Sequence, residues 1–298
     1  MFKILLIILA LGLFALAVIV AEGRRELKFF RIRRYQLSVP AFKALDSPKK
    51  VILLADLHNK VYGTDNEELV EAIRREKPDL ILTAGDMLVG KDRMLYEEAV
   101  RFMVRLPAIA PVYYSLGNHE QRLKEYPEKY GEGVFRQYKK ALTEAGVHFL
   151  ENESAVCMLD RLSVRIHGLE LPVDTYEKFK KHTVTSEDVR RCLGDTKEGE
   201  YQILLAHNPA FFPAYKAWGA DLTLSGHLHG GIIRIPGLGG VITPQFVLFP
   251  KYSGEMTVEG SQAIAVSRGL GTHTVNLRFM NYAEVVVIEL DPAFTHGK

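Results

Sequence analysis

The stretch Val51-Ile52-Leu53-Leu54-Ala55-Asp56-Leu57-His58 joins five apolar residues to an aspartate and a histidine. A short continuous apolar run is typical of a strand buried on both faces, as in the parallel sheets of α/β proteins. Comparable runs occur at residues 80–84, 112–116 and 201–206, and each of them is followed by polar residues. The pattern predicts a buried sheet whose strands end in side chains that can carry chemistry.

Segments with helical periodicity separate the apolar runs in the first half of the chain. Residues 66–76, 94–106 and 134–145 repeat apolar side chains at helical spacing, and residues 147–150 form a further short apolar run. Strands that alternate with helices predict βαβ units with mostly parallel pairing.

The second half of the chain is richer in strand signals. Residues 155–159 and 162–166 predict a hairpin around Asp160-Arg161, and residues 175–193 predict two short surface helices. Further strands are expected at residues 201–206, 221–224, 263–267 and 284–290. We therefore predict an α/β fold of four layers, an α/β/β/α sandwich in which two mixed sheets pack face to face.

The chain begins with an apolar segment that is long enough to cross a membrane. Residues 4–21 are apolar apart from Gly12, and about 20 such residues span a hydrocarbon core of about 30 Å. We predict that residues 1–22 are a retained single-pass anchor in the cell membrane. The alternative is a cleaved signal peptide, whose apolar core is usually only about 7 to 15 residues long. Residues 23–49 would be a linker with a first strand, and residues 50–298 the folded domain.

Basic residues are unevenly distributed around this segment. Only Lys3 and the amino terminus precede it, whereas six basic residues follow it: Arg24, Arg25, Lys28, Arg31, Arg33 and Arg34. By the positive-inside rule this asymmetry favours a cytoplasmic position for the folded domain. However, residues 27–35 alternate partly like a strand, and the arginines would then lie on its solvent face. Both interpretations stay open at this point.

Composition excludes some classes of partner. The formal net charge of the 298 residues is only +2, so no general nucleic-acid surface is expected. Cys157 and Cys192 are too few for a disulfide framework and occur in no metal-binding spacing. We expect two thiols rather than a disulfide bond.

Residues of the kind that bind metals follow five predicted strands. They are Asp56 and His58, Asp86, Asn118 and His119, His207, and His227 and His229. In open α/β sheets, ligands gather at the carboxyl ends of the strands. The set is too large for one tetrahedral zinc site, and it suits two ions about 3.5–4 Å apart.

The ordered series of motifs resembles the calcineurin-like metallophosphoesterases, and in particular their membrane-associated bacterial branch. The resemblance covers about residues 50–290. The matching segments are Asp56-Leu57-His58, Gly85-Asp86, Gly117-Asn118-His119-Glu120, His207-Asn208-Pro209 and Ser225-Gly226-His227-Leu228-His229-Gly230-Gly231.

This resemblance implies a role for each position. The first metal would be held by Asp56, His58 and His229. The second metal would be held by Asn118, His207 and His227. Asp86 would bridge the two metals. His119 would bind no metal and would be the catalytic residue that assists the leaving group, and Glu120 would orient it.

The resemblance also implies the reaction and its cofactors. We expect a metal-dependent phosphoesterase that cleaves a phosphodiester or phosphomonoester by attack of a hydroxide that bridges two divalent metals. Mn is the expected metal, and Fe, Zn and Co are alternatives.

A departure from the family pattern narrows the range of expected substrate classes. Residues 85–91 lack the Asp-Arg-Gly run of the family's protein phosphatases, which favours a phosphorylated small molecule or lipid. Two alternatives remain at this stage. One is a pyrophosphatase acting on a nucleotide-linked lipid of the UDP-diacylglucosamine type, and the other is a catalytically silent binding protein on the same scaffold.

The remaining histidines match no position of the family: His148, His167, His182, His273 and His296. We predict ordinary structural or surface roles for them and retain only His273 as a candidate for the rim of the site. Weaker candidates for substrate contact are Asn59, Asn208 and Arg268.

Overall fold

The computed structural model of the protein describes residues 1–91, 96–177, 180, 182–231, 233–235, 237–243, 247–272 and 276–293. Two six-stranded sheets form its centre. In spatial order, the first sheet contains β1 (Phe30–Leu37), β14 (Ala283–Leu290), β2 (Lys49–Leu54), β3 (Leu80–Thr83), β4 (Val112–Tyr114) and β5 (Val147–Phe149). The second contains β12 (Met256–Glu259), β13 (Gln262–Val266), β9 (Leu222–Ser225), β8 (Tyr201–Ala206), β7 (Leu162–Leu169) and β6 (Glu153–Leu159). A small ribbon consists of β10 (Arg234–Ile235) and β11 (Gly239–Gly240).

Both sheets are mixed, with parallel strands at their centres. Strands β2, β3, β4 and β5 are parallel, while β14 is antiparallel to β2 and parallel to β1. In the second sheet β7, β8, β9 and β13 are parallel, and the edge strands β6 and β12 are antiparallel to their neighbours. The parallel centres place the carboxyl ends of several strands side by side.

Helices cover the outer face of each sheet, whereas the long helix α1 (Phe2–Glu26) is largely exposed. The other helices are α2 (Glu67–Glu76), α3 (Glu97–Met103), α4 (Asn118–Glu125), α5 (Pro127–Tyr130), α6 (Val134–Glu144), α7 (Ser186–Leu193) and α8 (Phe212–Trp218). Short 3-10 turns lie at Pro40–Ala44, Leu106–Ala108, Val173–Tyr176 and Pro209–Phe211. Buried side chains of α2, α3 and α6 pack on the first sheet, and those of α7 and α8 pack on the second. The predicted four-layer α/β/β/α sandwich is confirmed.

The position of strand β2 between two cores explains why residues 51–54 are continuously apolar. Its side chains alternate between two cores: Val51 and Leu53 face the core between the sheets, whereas Ile52 and Leu54 face the helices. All four are fully buried, so none of these four positions is in contact with water. The strand is thereby fixed in register immediately before Asp56.

Several predicted elements differ from the observed ones at their ends. The second predicted helix begins at Glu97, and its predicted start at Met94 lies outside the described residues. The excursion at residues 175–193 contains one 3-10 turn and one α-helix rather than two α-helices. Strand β4 ends at Tyr114 because the chain turns there toward helix α4.

Helix α1 is long and apolar enough to cross a membrane, and no residue of its most apolar 18-residue window is buried among the residues that the structure describes. It continues beyond residue 22 to Glu26. Strand β1 follows, which supports the strand interpretation of the basic segment: Arg31 stacks 3.4 Å from the ring centroid of Tyr282, and Arg34 pairs with Glu76. These two arginines therefore belong to the folded domain.

The core between the sheets predicts the cost of a large-to-small substitution. Leu53→Ala should lower the free energy of unfolding by about 2–5 kcal/mol, since the cavity lies between two rigid sheets. Denaturant titration monitored by the fluorescence of Trp218, the single tryptophan, measures this change. Met158→Ala, at an exposed position of β6, is the matched control and should change stability by about 0.5 kcal/mol or less. Equal effects of the two substitutions would contradict the packing described.

Candidate metal centre

Five strands deliver the predicted ligands to one edge of the two sheets. The residues that follow β2, β3, β4, β8 and β9 are, in that order, Asp56 and His58, Asp86, Asn118 and His119, His207, and His227 and His229. The candidate ligand atoms form three groups, and the atoms within each group lie within 4.8 Å of one another. These groups are Asp56 with His58 and His229, Asp86 with His207 and His227, and Asp86 with His58 and His119.

The first group is compact and fully enclosed. The Oδ1 atom of Asp56 lies 3.5 Å from Nε2 of His229 and 3.8 Å from Nε2 of His58. The two imidazole Nε2 atoms are 3.2 Å apart. Two ring nitrogens and a carboxylate oxygen that converge in this way form a site for a divalent cation.

Asp86 lies between the first group and the second. Its Oδ2 atom is 3.2 Å from Nε2 of His207 and 3.9 Å from Nε2 of both His58 and His119. Its Oδ1 atom accepts a hydrogen bond of 2.8 Å from the backbone amide of His119. One carboxylate oxygen therefore faces imidazoles of both groups, while the other is fixed by the backbone.

Asn118 offers the amide oxygen that the prediction requires. Its side chain is only 3% exposed, and Oδ1 has no hydrogen-bond partner among the residues that the structure describes. A buried carbonyl oxygen without a donor is unfavourable unless a ligand satisfies it. The chemistry of this atom fits a metal ion.

Hydrogen bonds from the far side of two imidazoles fix their tautomers. His207 donates from Nδ1 to the carbonyl of Ala84 at 2.5 Å, and His229 donates from Nδ1 to the carbonyl of Gly271 at 3.1 Å. In a neutral ring this arrangement leaves the lone pair on Nε2, the nitrogen that faces the centre. Such outer bonds orient metal-binding histidines and raise their basicity.

His119 has the opposite arrangement. Its Nδ1 atom accepts a hydrogen bond of 2.8 Å from the backbone amide of Gly90, so the neutral ring carries its proton on Nε2. The amide belongs to residues 85–91, the run that departs from the protein-phosphatase pattern. His119 thus presents a donor to the centre, whereas His207 and His229 present acceptors.

The backbone is strained where it delivers these side chains. Five of the seven predicted metal ligands have left-handed φ angles between 50° and 71°: Asp56, His58, Asp86, His227 and His229. Residues with side chains rarely adopt this conformation, and it persists only where the surroundings enforce it. Gly226 permits close packing of these loops, because a Cβ atom at this position would lie only 2.5 Å from Oδ2 of Asp56. The glycine therefore allows the loop of His227 to approach Asp56.

Burial and mutual contact shift the acidity of these groups. Burial, together with the charge of Asp86, raises the pKa of Asp56 to about 7. Burial also disfavours the ionised form of Asp86. The imidazoles of His207 and His119 outweigh this effect and hold the pKa of Asp86 well below its usual range. Burial disfavours the His207 imidazolium, yet Asp86 and Asp56 raise the pKa of His207 to about 9. A cation that replaced these protons would meet ionised carboxylates and a neutral imidazole.

Glu120 supports the loop of Asp86. Its carboxylate accepts hydrogen bonds from the backbone amides of Asp86 at 2.9 Å and Met87 at 2.8 Å, and from the hydroxyl of Tyr114 at 2.7 Å. Burial, together with the charge of Asp86, raises the pKa of Glu120 to about 7. These hydrogen bonds assign the carboxylate to the Asp86 loop, and none of those described reaches the ring of His119, so the expected role of Glu120 in orienting His119 stays a prediction.

Sequence reasoning missed two residues behind the first group. The guanidinium of Arg278 is fully buried and donates to the carbonyls of Gly269 at 3.0 Å and Gly271 at 2.8 Å. The side-chain amide of Asn281 donates to the carbonyl of His229 at 2.8 Å. Neither residue belongs to a motif. The sequence signal that could have indicated a buried role was the charged Arg278 close to the strand-like residues 284–290.

The weaker candidates have structural partners. The side chain of Asn208 accepts a hydrogen bond from the amide of Ala210 at 3.1 Å, and Nε of Arg268 donates to the carbonyl of Gly254 at 3.0 Å. His167 lies between Ser154 and Gln202 in the second sheet, which agrees with a structural role. Cys157 and Cys192 are free thiols, as expected. His273 and His296 lie outside the described residues, and substrate contact by Asn59, Asn208 and Arg268 stays a prediction.

Comparison with known proteins agrees with this geometry. Residues 49–231, more than half of the chain, match the family model of the calcineurin-like phosphoesterases. The chain belongs to this family. It is therefore a phosphoric ester hydrolase, and its clustered histidines and aspartates suit divalent metal ions.

Relatives of this calcineurin-like phosphoesterase cover most of its length. The metallophosphoesterase YkuE of Bacillus subtilis is 29% identical over 245 residues, which are 81% of this chain and 78% of that protein. The phosphodiesterase YaeI of Escherichia coli is 27% identical over 265 residues, which are 88% of each chain. A metallophosphoesterase of Aquifex aeolicus is 25% identical over 93% of this chain and 98% of its own. The predicted family is confirmed.

The pKa shifts predict how metal affinity depends on pH. A cation requires ionised Asp56 and an unprotonated Nε2 of His207, so binding should release protons below pKa values of about 7 and about 9. The apparent affinity for Mn²⁺ should therefore rise from pH 6 to 8.5, by about tenfold per pH unit above pH 7. Calorimetric titration in buffers of different ionisation enthalpy measures both effects.

His148→Gln is the control for this titration, because His148 stacks on Tyr113 in the first sheet and faces no ligand group. Its pH profile should match that of the unmodified protein. An affinity that stayed constant from pH 6 to 8.5 would contradict the assignment of these two groups as metal ligands.

Proposed function

We propose that this protein hydrolyses a phosphodiester or phosphomonoester with two divalent metal ions, Mn being the expected ion and Fe, Zn and Co the alternatives. The observation that carries the proposal is the position of Asp86, whose Oδ2 atom faces His58 on one side and His207 on the other. When bound, the two ions would supply an acidified water and neutralise charge on the phosphoryl oxygens.

The proposed ligand sets follow the groups described. One ion would be held by Asp56, His58 and His229. The other would be held by Asn118, His207 and His227, with Asp86 shared between the ions. The buried Oδ1 of Asn118 and the outward Nδ1 bonds of His207 and His229 support this division.

His119 is the proposed catalytic residue. The hydrogen bond from Gly90 keeps the proton of the neutral ring on Nε2, from which it can donate to the leaving oxygen. The backbone amide of His119 also bonds Oδ1 of Asp86. The donor and the shared carboxylate therefore keep a fixed relation during the reaction.

Two substitutions separate metal binding from catalysis. Asp86→Asn should lose both metal content and activity, because it removes the charge shared by the two ions. His119→Ala should retain metal and lower kcat by roughly 10²–10⁴, the contribution of a positioned acid. Metal analysis and steady-state kinetics measure the two effects, with His148→Gln as control. If His119→Ala were fully active, or if Asp86→Asn kept two ions, the corresponding assignment would be wrong.

A phosphodiester is the favoured substrate class. One of the relatives reported above is named a phosphodiesterase, and residues 85–91 lack the family's protein-phosphatase run. With Mn²⁺ the enzyme should cleave bis(p-nitrophenyl) phosphate with a higher kcat/KM than p-nitrophenyl phosphate. Faster cleavage of UDP-diacylglucosamine would instead support the pyrophosphatase. Failure of the metal-loaded protein to cleave any of the three would support a silent binding protein.

We further propose that helix α1 is a retained membrane anchor, as in the membrane-associated bacterial branch of the family. The sequence Ala21-Glu22-Gly23, which matches the small-x-small pattern of a signal-peptidase site only imperfectly, lies inside the helix and not in an extended segment. Gly23 is buried against Leu277, and Glu26 is only 2% exposed. This close packing of the last turn on the folded domain supports retention of the helix.

A further inference from the structure

Outside helix α1, many of the exposed large apolar side chains lie in the segment that follows His229. On and beside the ribbon of β10 and β11, large apolar residues remain in contact with solvent. We call this set the apolar rim; its members are Ile235, Leu238, Val247, Leu248, Phe249 and Met280. Leu238 and Leu248 are 66% and 62% exposed, which is unusual for leucines grouped in one region of a folded domain.

The apolar rim is connected to the end of helix α1 by one short segment. Ile233 pairs with Phe279, and the amide of Arg234 donates to the carbonyl of Phe279 at 3.1 Å. The next two residues, Met280 and Asn281, donate their amides to the carboxylate of Glu26 at 3.1 and 2.9 Å. The rim therefore lies beside the point where the apolar helix meets the folded domain.

The same region also connects the rim to the metal centre through hydrogen bonds. The ribbon begins directly after the loop of His229, and the side chain of Asn281 holds the carbonyls of His229 and Gly231. The anchor, the rim and one edge of the metal centre thus converge on Asn281.

Basic side chains occur at the end of α1 and in the chain segment of the rim. Arg24 and Lys28 are exposed at the end of α1, and Lys251, whose side chain is 70% exposed and pairs with Glu259 at 2.9 Å, follows Phe249 after one residue. A surface that combines exposed apolar and basic side chains suits the headgroup region of an anionic bilayer.

We propose that the apolar rim inserts into the headgroup region of an anionic phospholipid bilayer beside the anchor, as a second membrane contact. This contact would hold the metal centre at the bilayer surface, where the phosphoesters of lipids are found. The inference rests on the proposed retention of α1 but not on the identity of the bond that the enzyme cleaves.

The test uses the full-length chain in vesicles of phosphatidylcholine and phosphatidylglycerol. Cys157 and Cys192 are replaced by serine, and single cysteines at Leu238, Leu248 and Lys140 carry an environment-sensitive fluorophore. Lys140 is the control, because its exposed side chain lies on α6 at the opposite edge of the first sheet from β1. Lipids with a nitroxide near the headgroup should quench the probes at residues 238 and 248 about twofold or more relative to residue 140.

Equal quenching at all three positions would overturn the proposal. So would a blue shift at residues 238 and 248 without quenching by lipid, since a second copy or another protein would then cover the rim. Asp86→Asn in the same vesicles should leave the quenching unchanged, because the contact does not depend on catalysis.

A separate measurement identifies failure of the anchor. Intact mass and carbonate extraction of the membrane-bound chain should give an uncleaved protein that stays with the vesicles. A cleaved or extractable chain would overturn retention of α1 and, with it, the proposed rim contact.

Discussion

The structure depends on the burial of two carboxylates, Asp56 and Asp86, among imidazoles at the junction of two sheets. Burial alone raises the pKa of Asp56 and favours its neutral form, while the surrounding imidazoles favour the ionised form of Asp86. Such a cluster is stable only if positive charge is supplied from within it. Protons on His207 supply some of that charge, and divalent ions would supply more. The ligand geometry and the need for cations are thus two aspects of one electrostatic constraint.

The side chains of this cluster can converge only because the backbone leaves the regular β conformation directly after each strand. Asp56 and Asp86 adopt left-handed conformations directly after buried strands, and the surrounding loops hold them there. Glu120 contributes by accepting the amides of Asp86 and Met87, and the rigid strand β2 contributes by fixing the register before Asp56. The strain at the site is therefore maintained by packing and hydrogen bonds in regular elements nearby.

The succession of strands along the chain and the clustering of the candidate ligands could be predicted, because apolar runs such as residues 51–55 end directly in polar motifs. Element ends were less predictable: strand β4 ends at Tyr114, whose hydroxyl bonds Glu120 and Tyr138, residues that lie further along the chain. The tautomers of His119 and His207 depend on the carbonyl and amide groups of distant residues, which no local pattern encodes. Arg278 and Asn281 were missed for the same reason: they act through backbone groups of other loops.

The contact between Glu26 and Asn281 has a consequence for biogenesis. The two residues are 255 positions apart, and strand β1 also pairs with β14 near the other end of the domain. Glu26 and the apolar helix are synthesised long before Asn281. A chain inserted during translation would therefore wait at the membrane with its His229 loop unsupported. The metal centre could be completed only after the residues of β14 had been made, so an enzyme that keeps the proposed anchor would mature at the membrane.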